Sequence, residues 1–281
     1  MVPAPARFSE LVERYDGFLF DAYGVLVDAA GVCPGAIAAI DAVRAAGKPL
    51  RVVTNDASRL PAAAAARFAG VGLAIDAREI VTSGQLLGAH VAAAGLAGAR
   101  ALVLGTDDAR AYASQAGLAA FAPAALGGGE VDAVVVCDDA GFALLDGINA
   151  ALTAAVRALD QGRRLALVCP NPDLVYPRGG GALGFTAGAL AMILEAGLRR
   201  SHPDAPGFVY LGKPAPAIFA LARAGLPDAP RLLMIGDQLE TDIAGARAAG
   251  LDAALVTGVS RWRDRAAAPA LAPHWLLDSL A

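Results

Sequence analysis

The sequence predicts an α/β protein: a doubly wound, mostly parallel Rossmann-like core that carries an inserted α/β domain. Short apolar runs alternate with helical stretches along the 281 residues, as expected of a parallel sheet covered by helices. Apolar residues make up 56% of the chain, which is ample for a large core. Thr54 and Lys213 lie 159 positions apart, which leaves room for a second domain.

The first landmark is an apolar run that ends in a carboxylate. Residues 18–20 read Phe-Leu-Phe, Asp21 follows, and Gly24 permits a tight turn. In open α/β sheets, ligands bind at the carboxyl ends of the strands. For a single motif of this kind, an aspartate that caps a turn is the better interpretation.

Three further segments change that interpretation because each again places polar residues after an apolar run. They are Val52-Val53-Thr54-Asn55, Leu211-Gly212-Lys213-Pro214 and Ile235-Gly236-Asp237 with Thr241-Asp242 behind it. Four such segments in one order are far more specific than any one of them. The set resembles the four motifs of the haloacid dehalogenase-like (HAD) superfamily, and within it class IIA, the NagD-like phosphatase subfamily.

The resemblance implies a role for each motif residue. Asp21 would be the nucleophile that forms a covalent intermediate. Asp237 would share a Mg²⁺ ion with Asp21 and the backbone carbonyl of Tyr23, since Mg²⁺ prefers hard oxygen ligands. Asp242 would act beside the metal or position Lys213, although a charge that stabilises a helix N-terminus is an equally strong interpretation.

The resemblance also implies the groups that hold the phosphate. Thr54 and the Asn55 amide would bind phosphoryl oxygens, and Lys213 would supply a positive charge to the phosphate and the nucleophile. In the inserted domain, Asp173 and Arg178 would contact the substrate. A surface arginine is an equal alternative for Arg178.

Tyr23 departs from the phosphatase pattern. Phosphatases of this superfamily carry a second aspartate at this position, which protonates the leaving group and activates the water. A phenol, with an ordinary pKa of about 10, cannot replace it near neutral pH. Because such acid–base help is worth roughly 10²–10⁴ in rate, a phosphatase with Tyr23 should be slow or restricted in substrate.

Two rival functions stay open. The first motif Phe-Asp-Ala-Tyr-Gly also resembles that of the 2-haloacid dehalogenases, which release halide without an acid or a metal. Those enzymes lack the aspartate equivalent to Asp237 and insert their cap between the first two motifs. Here only 33 residues separate Asp21 from Thr54, so the phosphatase is favoured. The third hypothesis is a ligand-binding protein that has lost turnover.

We expect residues 1–97 and 185–281 to form the catalytic core and residues 98–184 to form the cap domain. The sequence further predicts a helix over 58–69 with Ser58 as its N-cap. A helix over 187–196 is expected to return the chain to the core.

Composition limits the partners and the compartment. A net charge of −4 gives no reason to expect nucleic acid. The uncharged stretch 80–99 contains polar residues and four glycines, which makes it a poor membrane span. Three cysteines without paired spacing and no signal-peptide pattern favour the cytoplasm. The expected partner is a small phosphorylated metabolite, and a homo-oligomer is compatible with the sequence.

Overall fold

The computed structural model describes residues 3–226, 228–258 and 271–281. Its strands, in chain order, are β1 Ala4–Pro5, β2 Gly17–Phe20, β3 Val27–Asp28, β4 Gly31–Val32, β5 Leu50–Thr54, β6 Ile80–Thr82, β7 Arg100–Leu104, β8 Ala119–Phe121, β9 Ala133–Val136, β10 Ala166–Cys169, β11 Val175–Gly179, β12 Ala182–Phe185, β13 Val209–Tyr210, β14 Leu232–Gly236, β15 Asp252–Val256 and β16 Trp275–Leu277. Its α-helices are α1 Phe8–Arg14, α2 Ala36–Ala45, α3 Pro61–Gly70, α4 Leu87–Ala94, α5 Asp107–Gln115, α6 Leu144–Asp160, α7 Ala187–Ser201, α8 Pro216–Ala224 and α9 Ala244–Ala248.

The chain divides into two compact units. The first contains residues 3–54, 61–81 and the described residues from 213 onward. Its seven-stranded sheet has the order β1-β16-β15-β14-β2-β5-β6. Every neighbouring pair from β1 to β5 in that order is parallel. Strand β2 lies in the interior of the sheet, and all four of its residues are buried.

The second unit contains residues 55–60 and 82–212. It has its own five-stranded sheet in the order β13-β10-β9-β7-β8, and all its neighbouring strands are parallel. Strands β11 and β12 form a separate antiparallel hairpin. Two parallel sheets with interleaved helices confirm the predicted fold class.

The boundaries between the units differ from the expected ones at residues 97/98 and 184/185. Helix α4 belongs to the second unit because Leu87 and Val91 are buried in the apolar cluster on one side of its sheet. Helix α7 belongs there too because Leu190 and Leu194 pack in the cluster on the other side. The segment expected to return to the core therefore buries its apolar face in the second unit instead.

The helix expected at 58–69 begins later than predicted. Ser58 is not its N-cap: its N–H and hydroxyl both donate to Oδ1 of Asp56, at 2.7 and 2.6 Å. This closes a local turn that competes with helix formation. The helix then starts at Pro61, a residue suited to the first helical position because its φ is already helical. Among the described residues, no helix has the length and apolar character needed to cross a membrane.

Candidate active site

Two aspartates lie at the same edge of the first unit's sheet. Strands β2 and β14 are parallel neighbours with Phe20 opposite Ile235, so the residues that follow them emerge together. Asp21 follows β2, and its N–H donates to the Ile235 carbonyl at 2.8 Å. Asp237 follows β14. The two strand ends that the sequence singled out therefore meet.

Lys213 lies between two carboxylates. Its Nζ is 2.6 Å from Oδ1 of Asp21 and 2.7 Å from Oδ1 of Asp242. All three side chains are buried, and Lys213 is only 2% exposed. A lysine before a proline in a loop is ordinarily exposed, so this burial needs the compensation that the two ion pairs provide.

Asp242 is held in a turn of π-helix, Leu239–Ile243, directly after β14. Its Oδ2 accepts a hydrogen bond of 3.1 Å from the N–H of Gln238. Gly236 makes this approach possible, because a Cβ at that position would collide with the Asp242 side chain. Asp242 is fully buried and paired with Lys213. Its surroundings therefore differ from those of an exposed charge at a helix N-terminus.

The cluster holds more negative than positive charge. Burial raises the pKa of Asp21 to about 7, with the nearby Asp242 adding to the rise and Lys213 opposing it. Burial also raises the pKa of Asp237 well above its ordinary value, and Asp21 and Asp242 add to that rise. Burial alone would lower the pKa of Lys213, but Asp21 and Asp242 outweigh it and raise that pKa.

This arrangement fits a divalent cation. Asp21, Asp237 and Asp242 each offer an oxygen, and the three oxygens lie within 4.8 Å of one another. Among the residues that the structure describes, Oδ1 of Asp237 is buried without a hydrogen-bond partner. Such an atom is costly unless something compensates it. With three carboxylates against one ammonium, the ionised cluster has a net charge of −2. A hard dication such as Mg²⁺ matches both the charge and the oxygen donors.

Tyr23 and Gly24 form the turn after Asp21. Gly24 has φ +94°, and a Cβ there would lie 2.5 Å from Oδ2 of Asp237. A glycine is thus required both by the backbone conformation and by the closeness of Asp237. The backbone that follows Tyr23 consequently passes against the aspartate with the orphaned oxygen, while the Tyr23 ring is partly buried.

The two polar residues of the second motif, Thr54 and Asn55, belong to different units. Thr54 ends β5, the neighbour of β2 in the first unit. Asn55 begins the second unit, and its Nδ2 donates to Oδ1 of Asp173 at 2.9 Å. The structure therefore brings together two residues that are 118 positions apart. Arg178 is exposed on the hairpin strand β11, and its expected contact with substrate stays a prediction.

Sequence reasoning missed the part that Ser83 plays beside the second motif. Ser83 is fully buried, and its hydroxyl donates to the carbonyl of Asn55 at 2.7 Å. The sequence feature that could have indicated this role is a hydroxyl-bearing residue directly after β6. A hydroxyl in that position more commonly caps the following helix, which is how the sequence alone would explain it.

Family models match two parts of this chain. The model described as haloacid dehalogenase-like hydrolase matches residues 18–119, and a second HAD-hydrolase-like model matches residues 210–281. Human chronophin is 31% identical, with 98% of this chain and 94% of chronophin covered. D-glycerol 3-phosphate phosphatase of Mycobacterium tuberculosis is 33% identical, with 95% of this chain and 70% of the relative covered.

Solved structures give the same result. A possible sugar phosphatase of the HAD superfamily from Cytophaga hutchinsonii matches with a TM-score of 0.84 at 29% identity, over 99% of this chain and 98% of that one. Glycerol phosphate phosphatase from Mycobacterium tuberculosis in complex with magnesium matches with a TM-score of 0.77 at 29% identity, over 98% and 77%. NagD from Escherichia coli shares the fold, with a TM-score of 0.74 at 24% identity over 95% and 97%.

The doubly wound fold carries an acidic cluster at its strand ends, and the oxygens of that cluster suit a divalent cation. The chain belongs to the haloacid dehalogenase-like hydrolases. Its relatives place it among the phosphatases of that family, enzymes that act on phosphate esters.

The metal site can be tested without any activity measurement. A ligand that binds only the folded state at a hundred times its Kd stabilises that state by about 2.7 kcal/mol. Mg²⁺ should therefore raise the melting temperature by roughly 5–10 °C. Asp237→Ala should abolish this rise. It should not destabilise the metal-free protein, because it removes a half-buried carboxylate whose Oδ1 has no partner among the described residues. Differential scanning calorimetry with and without Mg²⁺ measures both effects.

The matched control is Asp41→Ala, which removes an exposed carboxylate from α2 in the same unit. This variant should keep the full Mg²⁺ shift. An Asp237→Ala protein that still gains the same stability from Mg²⁺ would contradict the assignment of the site.

Proposed function

We propose that this chain is a Mg²⁺-dependent phosphatase of small phosphorylated metabolites that works through an aspartyl-phosphate on Asp21. One observation carries the proposal. Asp21, buried and paired with Lys213, lies in one cluster with Asp237, whose Oδ1 has no partner in the described part of the chain. A nucleophilic carboxylate and a dianionic phosphate repel each other, so such an enzyme needs concentrated positive charge at this point.

Asp21 is the proposed nucleophile. One of its carboxylate oxygens forms a bond to phosphorus, and the bond from phosphorus to the ester oxygen breaks. Water then attacks the phosphorus of the aspartyl-phosphate, which releases inorganic phosphate and restores the carboxylate. The ion pair with Lys213 holds the carboxylate in a fixed orientation, and the ammonium offers charge to the phosphoryl oxygens.

The remaining residues bind and orient. Asp21, Asp237 and the carbonyl of Tyr23 would hold Mg²⁺, with Asp242 beside them, and the bound ion supplies positive charge that offsets the phosphate. Asp242 also orients Lys213 through the bond of 2.7 Å. Thr54 and Asn55 are the proposed ligands of the phosphoryl oxygens.

Tyr23 restricts the reaction. A leaving alkoxide needs a proton, and a phenol supplies one poorly near neutral pH. Esters with good leaving groups, which depart with little protonation, should therefore react best. Tyr23 is proposed to shape the pocket beside the nucleophile rather than to replace the missing acid.

The rival function, a metal-independent 2-haloacid dehalogenase, is less well supported. A halocarboxylate carries one charge and leaves as halide, so it gives no reason to retain a third carboxylate at Asp237. The relatives named for their activity are phosphatases. A ligand-binding protein without turnover would keep the same residues, and an assay of turnover separates it from the phosphatase.

The substrate class and the setting are part of the proposal. Glycerol phosphates are the first candidates, since three of the relatives are named for them. The second unit is proposed to be the cap domain of the family, with Asp173 and Arg178 near the substrate.

A cytoplasmic location is supported by three buried cysteines without disulfides. We propose neither a nucleic-acid partner nor a membrane partner. Assembly into a homo-oligomer is compatible with the proposal.

Replacing the nucleophile should abolish turnover. Asp21→Asn keeps an oxygen that can accept from Lys213 but cannot form the phosphoryl bond. A loss of roughly a thousandfold or more in kcat is expected, with an unchanged circular dichroism spectrum. Phosphate release from a panel of phosphorylated metabolites with Mg²⁺ measures this effect, and Asp41→Asn is the matched control. Undiminished hydrolysis by folded Asp21→Asn would remove Asp21 as the nucleophile.

Restoring an acid at position 23 should change the dependence on the leaving group. Tyr23→Asp is expected to raise kcat/KM for an alkyl phosphate by roughly tenfold more than for an aryl phosphate, because the aryl oxide leaves with little protonation. Tyr23→Asn is the control, because asparagine is nearly the same size as aspartate but cannot donate a carboxylic proton. This variant should show no such difference between the two substrates. A uniform fall for both substrates in both variants would show that the Tyr23 ring itself is needed.

A further inference from the structure

We propose that Asp173 is a positioning residue for Asn55. Asp173 and Ser83, both in the second unit, fix the orientation of Asn55. This inference rests on the proposed function, in which Asn55 binds a phosphoryl oxygen. It gives Asp173 a role other than direct contact with the substrate. Three contacts of Asn55, and the anchoring of Asp173 in its own loop, support it.

The side chain of Asn55 is fixed by charge-assisted hydrogen bonding. Its Nδ2 donates to Oδ1 of Asp173 at 2.9 Å, and Asn55 is only 3% exposed. A carboxylate only accepts hydrogen bonds, so it selects the nitrogen end of the amide and excludes the flipped orientation. Asp173 thereby decides which end of the Asn55 amide faces away from it.

Asp173 is itself held rigidly by its own loop. Its N–H donates to Oδ1 of Asn171 at 3.0 Å, and its carbonyl accepts from the N–H of Gly188 at 3.0 Å. Asn171 is buried and donates to Oγ1 of Thr186 at 3.5 Å. The loop that carries Asp173 is thus anchored to the start of α7.

Ser83 fixes the backbone of Asn55. The Ser83 hydroxyl donates to the Asn55 carbonyl at 2.7 Å, and Ser83 is fully buried. This bond determines the orientation of the peptide plane that follows Asn55. The next residue, Asp56, accepts from the N–H of Ser58 at 2.7 Å, which closes the turn behind it.

Gly212 limits the remaining freedom of the Asn55 side chain. A Cβ at Gly212 would collide with Oδ1 of Asn55 and lie 2.7 Å from the carbonyl oxygen of Pro170. The oxygen end of the amide therefore packs directly against the backbone of Gly212. Asn55 is thus restrained at its nitrogen, its side-chain oxygen and its backbone carbonyl.

A double-mutant cycle separates positioning from direct substrate contact. The four proteins are wild type, Asn55→Ala, Asp173→Ala and the double variant, each assayed with p-nitrophenyl phosphate and Mg²⁺. Misplacing a binding group by about 1 Å can cost up to roughly a hundredfold in rate, so Asp173→Ala should lower kcat/KM by roughly ten- to a hundredfold. Once Asn55 is alanine, the same substitution should have almost no further effect.

Two further variants exclude a general loss of structure. Asp173→Asn retains an oxygen that can accept from Asn55 and should recover much of the lost activity. Asp204→Ala removes an exposed carboxylate of the same unit and should match the wild type. Circular dichroism and the melting temperature confirm that each variant is folded.

Each outcome is decisive. Equal losses from Asp173→Ala with and without Asn55 would overturn positioning in favour of an independent role, such as substrate contact. If Asp173→Ala lowers kcat/KM neither in the wild type nor in Asn55→Ala, Asp173 has no part in the reaction and the proposal is overturned. If wild type binds inorganic phosphate without turnover, the same cycle is measured as the Kd for inorganic phosphate by calorimetry. A wild type that neither hydrolyses the ester nor binds phosphate refutes the proposed function first, and this inference falls with it.

Discussion

The buried ion-pair cluster around Lys213 is the constraint on which the rest of the site depends. Removing one partner from a buried pair ordinarily costs about 3–5 kcal/mol, because the other charge is left without compensation. Lys213 is shared by Asp21 and Asp242, so its loss would remove a positive charge from two buried carboxylates at once. The remaining negative charge, including the orphaned Oδ1 of Asp237, is what a divalent cation would balance.

The fold supplies this cluster through parallel strands. Because β2 and β14 are adjacent and run in the same direction, the residues that follow them are presented at one edge without any special loop. Glycines at positions 24 and 236 then allow side chains to approach the backbone more closely than another residue would. The second unit has its own parallel sheet, and Asp173, which comes after β10, bonds to Asn55.

Sequence reasoning succeeded where the signal was local. An apolar run followed by a polar residue marks the strand ends at Asp21 and Asp237, and the structure brings both into one cluster. It failed where long-range packing decides. The apolar faces of α4 and α7 suit either sheet, and in the structure both helices pack in the second unit. The bond between Asn55 and Asp173 spans 118 positions, and no short pattern encodes it.

Parallel product assays test the central claim most directly. Release of inorganic phosphate from a phosphate ester is measured with Mg²⁺ and again with excess EDTA, beside release of halide from a 2-haloacid under both conditions. The clustered carboxylates of Asp21, Asp237 and Asp242 predict phosphate release that nearly disappears with EDTA, and no halide release. Halide release that survives EDTA, with no phosphate release in Mg²⁺, would contradict the phosphatase and establish the dehalogenase.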